Sequence, residues 1–378
     1  MSPLIAHRCV LICVVLTAAS RAVAQDVAVP SIQPTTANDR WRTRVVAAAE
    51  QAAAIGRDWL GVHPTGTITD ITIDAPLWQG PAAMVVERQA ATSVIRSWWP
   101  ATLPDQRADA MLDGFAEYLQ GHALESLFSR RYLRMAHSVE LVPVFGSDVI
   151  WTVPTLHLSR WSMVGRPAQS HDIRSRYAAM FATLERWLGL PVLQGAMYEA
   201  ARLPVHQLNA AALVETIDAA SGQDLTWLFT AVADPSVTFD YAVASLSSAP
   251  SAPTCASPCF DTAVTVRRLG SGQFTGRSPA RVGEFESGDA IVLRVTFANG
   301  DHAWARWDGR DDTRTFRFQG PSTAVAAHLD PDRVVVLDVN YLNNAIVPAA
   351  STNAPIRKWV ARWMVWMQNT LLAYSFFA

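Results

Sequence analysis

No histidine in this chain of 378 residues is followed by a second one four positions later. The usual way of turning two imidazoles from one helix toward a single zinc ion is therefore missing. There is no Gly-x-Ser-x-Gly elbow for a serine nucleophile and no P-loop. "GSGQFTG" (270–276) is rich in glycine and follows a strand, but the "RSPARVG" after it does not open a helix, so it reads as a plain loop. Charge of one sign is lacking too. The chain has 31 Lys+Arg against 33 Asp+Glu, a formal net charge of -2, with no long run of either sign. That argues against a nucleic-acid partner, which needs a basic surface. Apolar residues are plentiful, at 50% of the chain, so a sizeable core can be filled.

Cysteine is scarce, with 4 copies, and two of them lie at the extreme N-terminus. There His7 and Arg8 precede an apolar run from Cys9 to Ala19, and Ala22-Val23-Ala24 offers small residues at cleavage spacing. Residues 1–24 are expected to be a signal peptide; the alternative is a short N-terminal anchor. With the signal removed, Cys9 and Cys13 leave as well, and an extracytoplasmic (secreted or periplasmic) protein is expected. In "TCASPCF" an oxidising compartment then favours a disulfide between Cys255 and Cys259 over two free thiols.

Apolar residues at helical spacing run through 39–60, where Asn38 or Asp39 can cap, and through 82–99, 106–128, 173–188, 191–202 and 208–220. "GTITDITIDA" alternates like a strand, and the stretch 139–158 is broken by prolines into loop or short strands. "SLSSAPSAPTCASPC" reads as a linker. Beyond it "TAVTVRRL", "AIVLRVTF", "HAWARW", "TRTFRF", "STAVAAHL" and "RVVVLDV" are of strand type, with Asn299-Gly300 as a two-residue hairpin. Short strands separated by turns point to a β-sandwich. The acidic "DGRDD" (308–312) and "DPD" (330–332) read as turns rather than calcium loops. The chain closes on a Trp-rich helix with Trp359, Trp363, Trp366 and Tyr374. It is short for a membrane span, and its basic flank (Arg357, Lys358, Arg362) precedes the apolar part. It is expected to pack on its own domains or to lie at a membrane surface.

One segment carries chemistry. "MLDGFAEYL" (111–119) resembles the third-ligand segment of the aminopeptidase-N-like zinc peptidases (the membrane alanine aminopeptidase family, gluzincins). Other segments resemble that family in the same order. "RDWLG" with "TGTITDITIDA" resembles the lead-in to the catalytic domain, and "SVIRSWWPA" the end of the zinc helix. "RYAAMFATLERWLG" resembles the tyrosine helix, "SGQDL" the end of the helical domain, and 295–345 the appended β-domain. The resemblance implies a fold of α+β class. A mostly helical, thermolysin-like gluzincin domain with a small N-terminal sheet (25–244) is followed by the linker (245–260), a small β-sandwich (261–346) and the Trp-rich C-terminal helix (347–378).

It also places the site, and the site is altered. Aligned on Trp98-Trp99, Thr92 and Arg96 stand where the two zinc-binding histidines belong, Ser93 where the catalytic glutamate belongs, and Asp113 where the third ligand belongs. Neither a hydroxyl nor a permanently charged guanidinium replaces imidazole, and serine is no carboxylate base. Tyr177 matches the tyrosine that steadies the tetrahedral intermediate, or else packs at a helix surface. Arg96 and Asp113 are expected to pair and hold their two helices together. The expected function is a catalytically inactive, exported binding or scaffolding protein without cofactor, recognising a protein or peptide partner. The alternative is a residual metallopeptidase using zinc at an unrecognised site. A structural envelope component held by the terminal helix is a third reading.

Overall fold

The computed structural model describes residues 33–34, 39–61, 70–71, 85–137, 172–251, 258–278, 288–289 and 291–347. The expected signal, the stretch 139–158, Cys255 and the terminal helix from Pro348 onward lie outside these residues. The fold is mixed α+β: helices first, then two antiparallel sheets.

Helix α1 (Asp39–Leu60) turns a small-residue stripe inward: Val45, Ala48, Ala49, Ala52 and Ala53 are all buried at helical spacing. Small side chains let α2 (Val85–Arg96) and α3 (Gln106–His137) approach it closely. Gly61 ends α1 at a φ of 82, which favours glycine. α2 closes through tight turns that carry Trp98 and Trp99 inward. The Trp98 ring covers Gly56, where a Cβ would come within 2.5 Å of it, and its Nε1 donates to the Gly61 carbonyl at 3.2 Å. Trp99 meets Phe115 edge-on, and Phe115 meets Phe181 of α4 (Ile173–Leu188) at 5.1 Å. Such aromatic pairs add about 0.5–1.5 kcal/mol each beyond area burial.

α5 (Leu190–Ala200) follows α4 across Gly189. α6 (Ala210–Ser221) is capped by Asn209 and ended by Gly222 in the left-handed region. α7 (Thr226–Ala233) ends on a buried cation. The Arg176 guanidinium donates to the carbonyls of Ala231, Val232, Asp234 and Val237 at 2.8–3.1 Å. It thereby satisfies acceptors that a helix C-terminus leaves open.

One sheet has the order β3 (Tyr241–Pro250), β4 (Phe260–Arg268), β9 (Thr313–Gly320). The other has the order β11 (Ala345–Ile346), β10 (Ala324–Leu329), β7 (Ile291–Phe297), β8 (His302–Trp307). Along β7, Ile291, Leu293, Val295 and Phe297 face the core while Arg294 and Thr296 face away, the period-two pattern of a strand with one buried face. Minor pairings join β1 (Gln33–Pro34) to β2 (Asp70–Ile71) in parallel and β5 (Arg277–Ser278) to β6 (Gly288–Asp289) antiparallel. Trp187 ties α4 to the strands: it packs on Phe274 at 5.1 Å and its Nε1 donates to the Arg277 carbonyl at 2.9 Å.

Three readings of the sequence change here. The expected linker is, over Ser245–Pro250, the second half of β3. Its small residues alternate: Ser245, Ser247 and Ala249 face water, while Leu246 is buried and Ser248 hydrogen-bonds Thr262. "RVVVLDV" is no strand. The Asp330 carboxylate takes the amides of Val334 and Val335 at 2.8 and 2.9 Å, so these are withdrawn from any ladder, and Arg333 has a φ of 53. Asn299-Gly300 does turn β7 into β8, with Gly300 at a φ of 91, but the loop extends from Ala298 to Asp301. Cys259 is buried and disulfide-bonded.

Candidate functional site

Thr92, Ser93 and Arg96 are half-buried along one face of α2, related by steps of three and four residues. Opposite them the first turns of α3 present Asp109 and Asp113, also four apart. The α3 start is set by Asp105, whose Oδ1 accepts from the amides of Arg107 (2.9 Å) and Ala108 (3.3 Å). Its Oδ2 accepts from the Ala210 amide at 2.7 Å, so one carboxylate caps both α3 and α6. The Ala210 amide is the main reason the Asp105 carboxyl sits below the ordinary carboxylate range; burial opposes it, and the Ala108 and Arg107 amides add to the lowering.

Arg96 spans the two helices. Its Nε donates to Asp113 Oδ1 at 2.7 Å, Nη1 to the Pro100 carbonyl at 2.7 Å, and Nη2 to Asp109. The second oxygen of Asp113 lies 3.4 Å from Nε of Arg174 on α4, which is 63% exposed. The result is a row of alternating charge, Asp109–Arg96–Asp113–Arg174, in which the inner cation is 12% exposed and the outer one open to water. The expected Arg96–Asp113 pair is present; Asp109 and Arg174 are partners the sequence reading did not name. Two acids one helical turn apart, facing an arginine on the preceding helix, were the available signal for Asp109.

A zinc ion does not fit these positions. The guanidinium fills the space between the helices, its donors are engaged with oxygens, and it cannot give up a proton to bind metal. Thr92 and Ser93 add hydroxyls where imidazole and carboxylate are needed, and no base is hydrogen-bonded to Ser93 among the described residues.

Tyr177 is fully buried on α4, with its Cβ against Gly114 of α3. Its hydroxyl lies beside Arg107, not on Arg96 or Asp113; burial pushes the phenol up, and Arg107 opposes this. Arg107 donates to the Phe229 carbonyl at 3.1 Å. It also lines a cavity of about 310 Å³ with Val214, Asp218, Thr226 and Phe229.

A second polar cluster was not foreseen. Tyr118 Oη donates to Glu185 Oε2 at 2.7 Å, and His122 Nε2 lies 3.2 Å from that hydroxyl and 3.4 Å from the carboxylate. Burial pushes the Glu185 carboxyl up, but the hydrogen bonds from His122 and Tyr118 outweigh it and hold it below the usual range. The Trp59 ring covers His122 at 5.5 Å. The cluster joins α1, α3 and α4.

No family model matches the chain, and no curated protein does. Among solved structures it is similar to aminopeptidase A of Legionella pneumophila, determined in complex with aspartic acid, at 11% identity and a TM-score of 0.49. The match covers 82% of this chain and 36% of that one, so the chain spans about a third of its length.

Proposed function

We propose that this chain is an aminopeptidase-N-like protein that has exchanged its zinc site for an ion-pair network and acts by binding rather than by catalysis. The observation that carries this reading is the 2.7 Å contact from Arg96 Nε to Asp113 Oδ1, between two positions that the resemblance assigns to zinc ligands. In this reading the helical part is a gluzincin-type domain, the two antiparallel sheets form its β-sandwich, and the protein works outside the cytoplasm. The face of α2 and α3 then serves as a former peptide cleft. It offers the hydroxyls of Thr92 and Ser93 and the exposed Arg174 to a protein or peptide partner. No cofactor takes part.

Elemental analysis of purified protein, paired with turnover of aminoacyl amides, tests the proposal. The expected result is no stoichiometric zinc and no hydrolysis. A tightly held ion coordinated within the helical part, accompanied by turnover, overturns it in favour of a metallopeptidase.

A further inference from the structure

The outward face of the four-stranded sheet presents an aromatic and basic row. Arg294 of β7 stands opposite Trp304 of β8 on one side and opposite His328 of β10 on the other. The neighbouring row pairs Thr296 with His302 and with Ala326, and Val292 stands opposite Arg306. These outward positions of β7, β8 and β10 carry no carboxylate. The Arg294 guanidinium lies 5.8 Å from the centre of the Trp304 ring. Its Nε is buried without a hydrogen-bond partner, and no carboxylate pairs with it among the described residues. A half-buried guanidinium held on an indole with no carboxylate beside it carries an unbalanced charge, and an anion meeting it from the solvent side would balance it.

We infer that this face binds an anionic glycan, with a sugar ring on Trp304 and its carboxylate on Arg294. Steps of one and two strand spacings, roughly 5 and 10 Å, carry the row from Trp304 to Arg294 and His328, so one short saccharide can lie across it. A lipid surface is disfavoured because the strands offer it little apolar area: Val292 is buried, and among the described residues of β7, β8 and β10 Val325, at 41%, is the one exposed large aliphatic side chain. The charged groups around His328 agree with an anion as occupant. Burial, then Arg294 and Arg333, lower its affinity for a proton, and Asp332 alone opposes them. A bound carboxylate would reverse that balance, so binding takes up a proton. The site is independent of the helical cleft.

The test is calorimetric titration of the full chain with a uronic-acid trisaccharide, a neutral glucose trisaccharide and vesicles of anionic phospholipid, at pH 7 and pH 5. The acidic trisaccharide is expected to bind, more tightly at pH 5, and the neutral one to fail. Arg294→Gln should weaken binding about tenfold or more, the loss of one charge-assisted hydrogen bond. Trp304→Ala should weaken it as well, Trp304→Phe less so. Arg317→Gln, on the other sheet, should change nothing. Circular dichroism of each variant separates lost binding from lost folding; if Trp304→Ala unfolds, Arg294→Gln decides. Unchanged affinity in Arg294→Gln, equal affinity for the neutral sugar, absence of binding, or binding of vesicles alone each overturns the inference.

Discussion

Gly114 lies directly beneath Tyr177: a Cβ on the glycine would come within 2.4 Å of the tyrosine Cβ and 2.8 Å of the Arg174 carbonyl oxygen. At this crossing α3 and α4 meet backbone to backbone. The glycine of "GFAEYL" is therefore a packing residue, and it brings Arg174 within reach of Asp113.

The same helix supplies a control. Gly121, two turns on, has nothing within 4 Å of its missing Cβ among the described residues. Gly114→Ala should destabilise the fold by about 1–3 kcal/mol, because neither contacting backbone can retreat. Gly121→Ala should stabilise it by up to about 1 kcal/mol, the gain of alanine over glycine in a helix. Urea denaturation of both variants measures the opposite signs; equal signs would contradict the crossing.

Removing the Arg96 guanidinium strands two carboxylates. Arg96→Met should cost about 1–3 kcal/mol, less than a fully buried pair because Asp109 and Asp113 remain over a quarter exposed. Adding Asp113→Asn to Arg96→Met should return part of the loss, since a neutral amide needs no cation. A double-mutant cycle with a coupling below about 0.5 kcal/mol would show that the pair is ornamental.

Asp105 should make stability depend on acid. Its folded carboxyl is held below the ordinary range of an aspartate, so its contribution is fully present above that range and is lost as pH falls through the lower folded value. Asp105→Ala should cost about 0.5–2 kcal/mol near neutrality, as for a lost helix cap, and progressively less toward pH 2. Thermal midpoints of both proteins across that range should converge.

Asp338 should act in the opposite direction. Burial pushes its carboxyl up to about 8, against hydrogen bonds from the Asn340 amide and Asn344 Nδ2. A raised folded pKa means that the native state keeps a proton the unfolded chain has released. Stability should therefore fall between about pH 4 and pH 8 and level off above. Asp338→Asn should flatten that slope in denaturation experiments at fixed pH. An identical slope would place the titration elsewhere, with buried Asp330, pushed up to about 6, as the next group to change.

The helices were legible because each element carries its own period: 39–60 and 173–188 were read with the boundaries the structure has. Arg96 facing Asp113 was legible too, since the resemblance puts both at positions that face one point in space, where opposite charges pair. β3 was hidden, because a strand of serine and alanine looks like a linker until its partner β4 and the hydrogen bond between the Ser248 and Thr262 hydroxyls are seen. The segment 333–339 misled in the opposite sense: its apolar run is buried as irregular chain, its amides held by Asp330.

The sequence by itself determined where helices and most strands lie, because hydrophobic period and turn residues act over a few neighbours. It determined also that no two histidines are spaced to face one metal ion from a single helix. Only the tertiary structure decided what surrounds Arg96 and Asp113. Asp109 and Arg174 complete the network from residues 13 and 78 positions distant from Arg96 in the chain, and the Trp304–Arg294–His328 row exists only once three strands are in register. Contacts of that range depend on packing and pairing register, which no local pattern encodes.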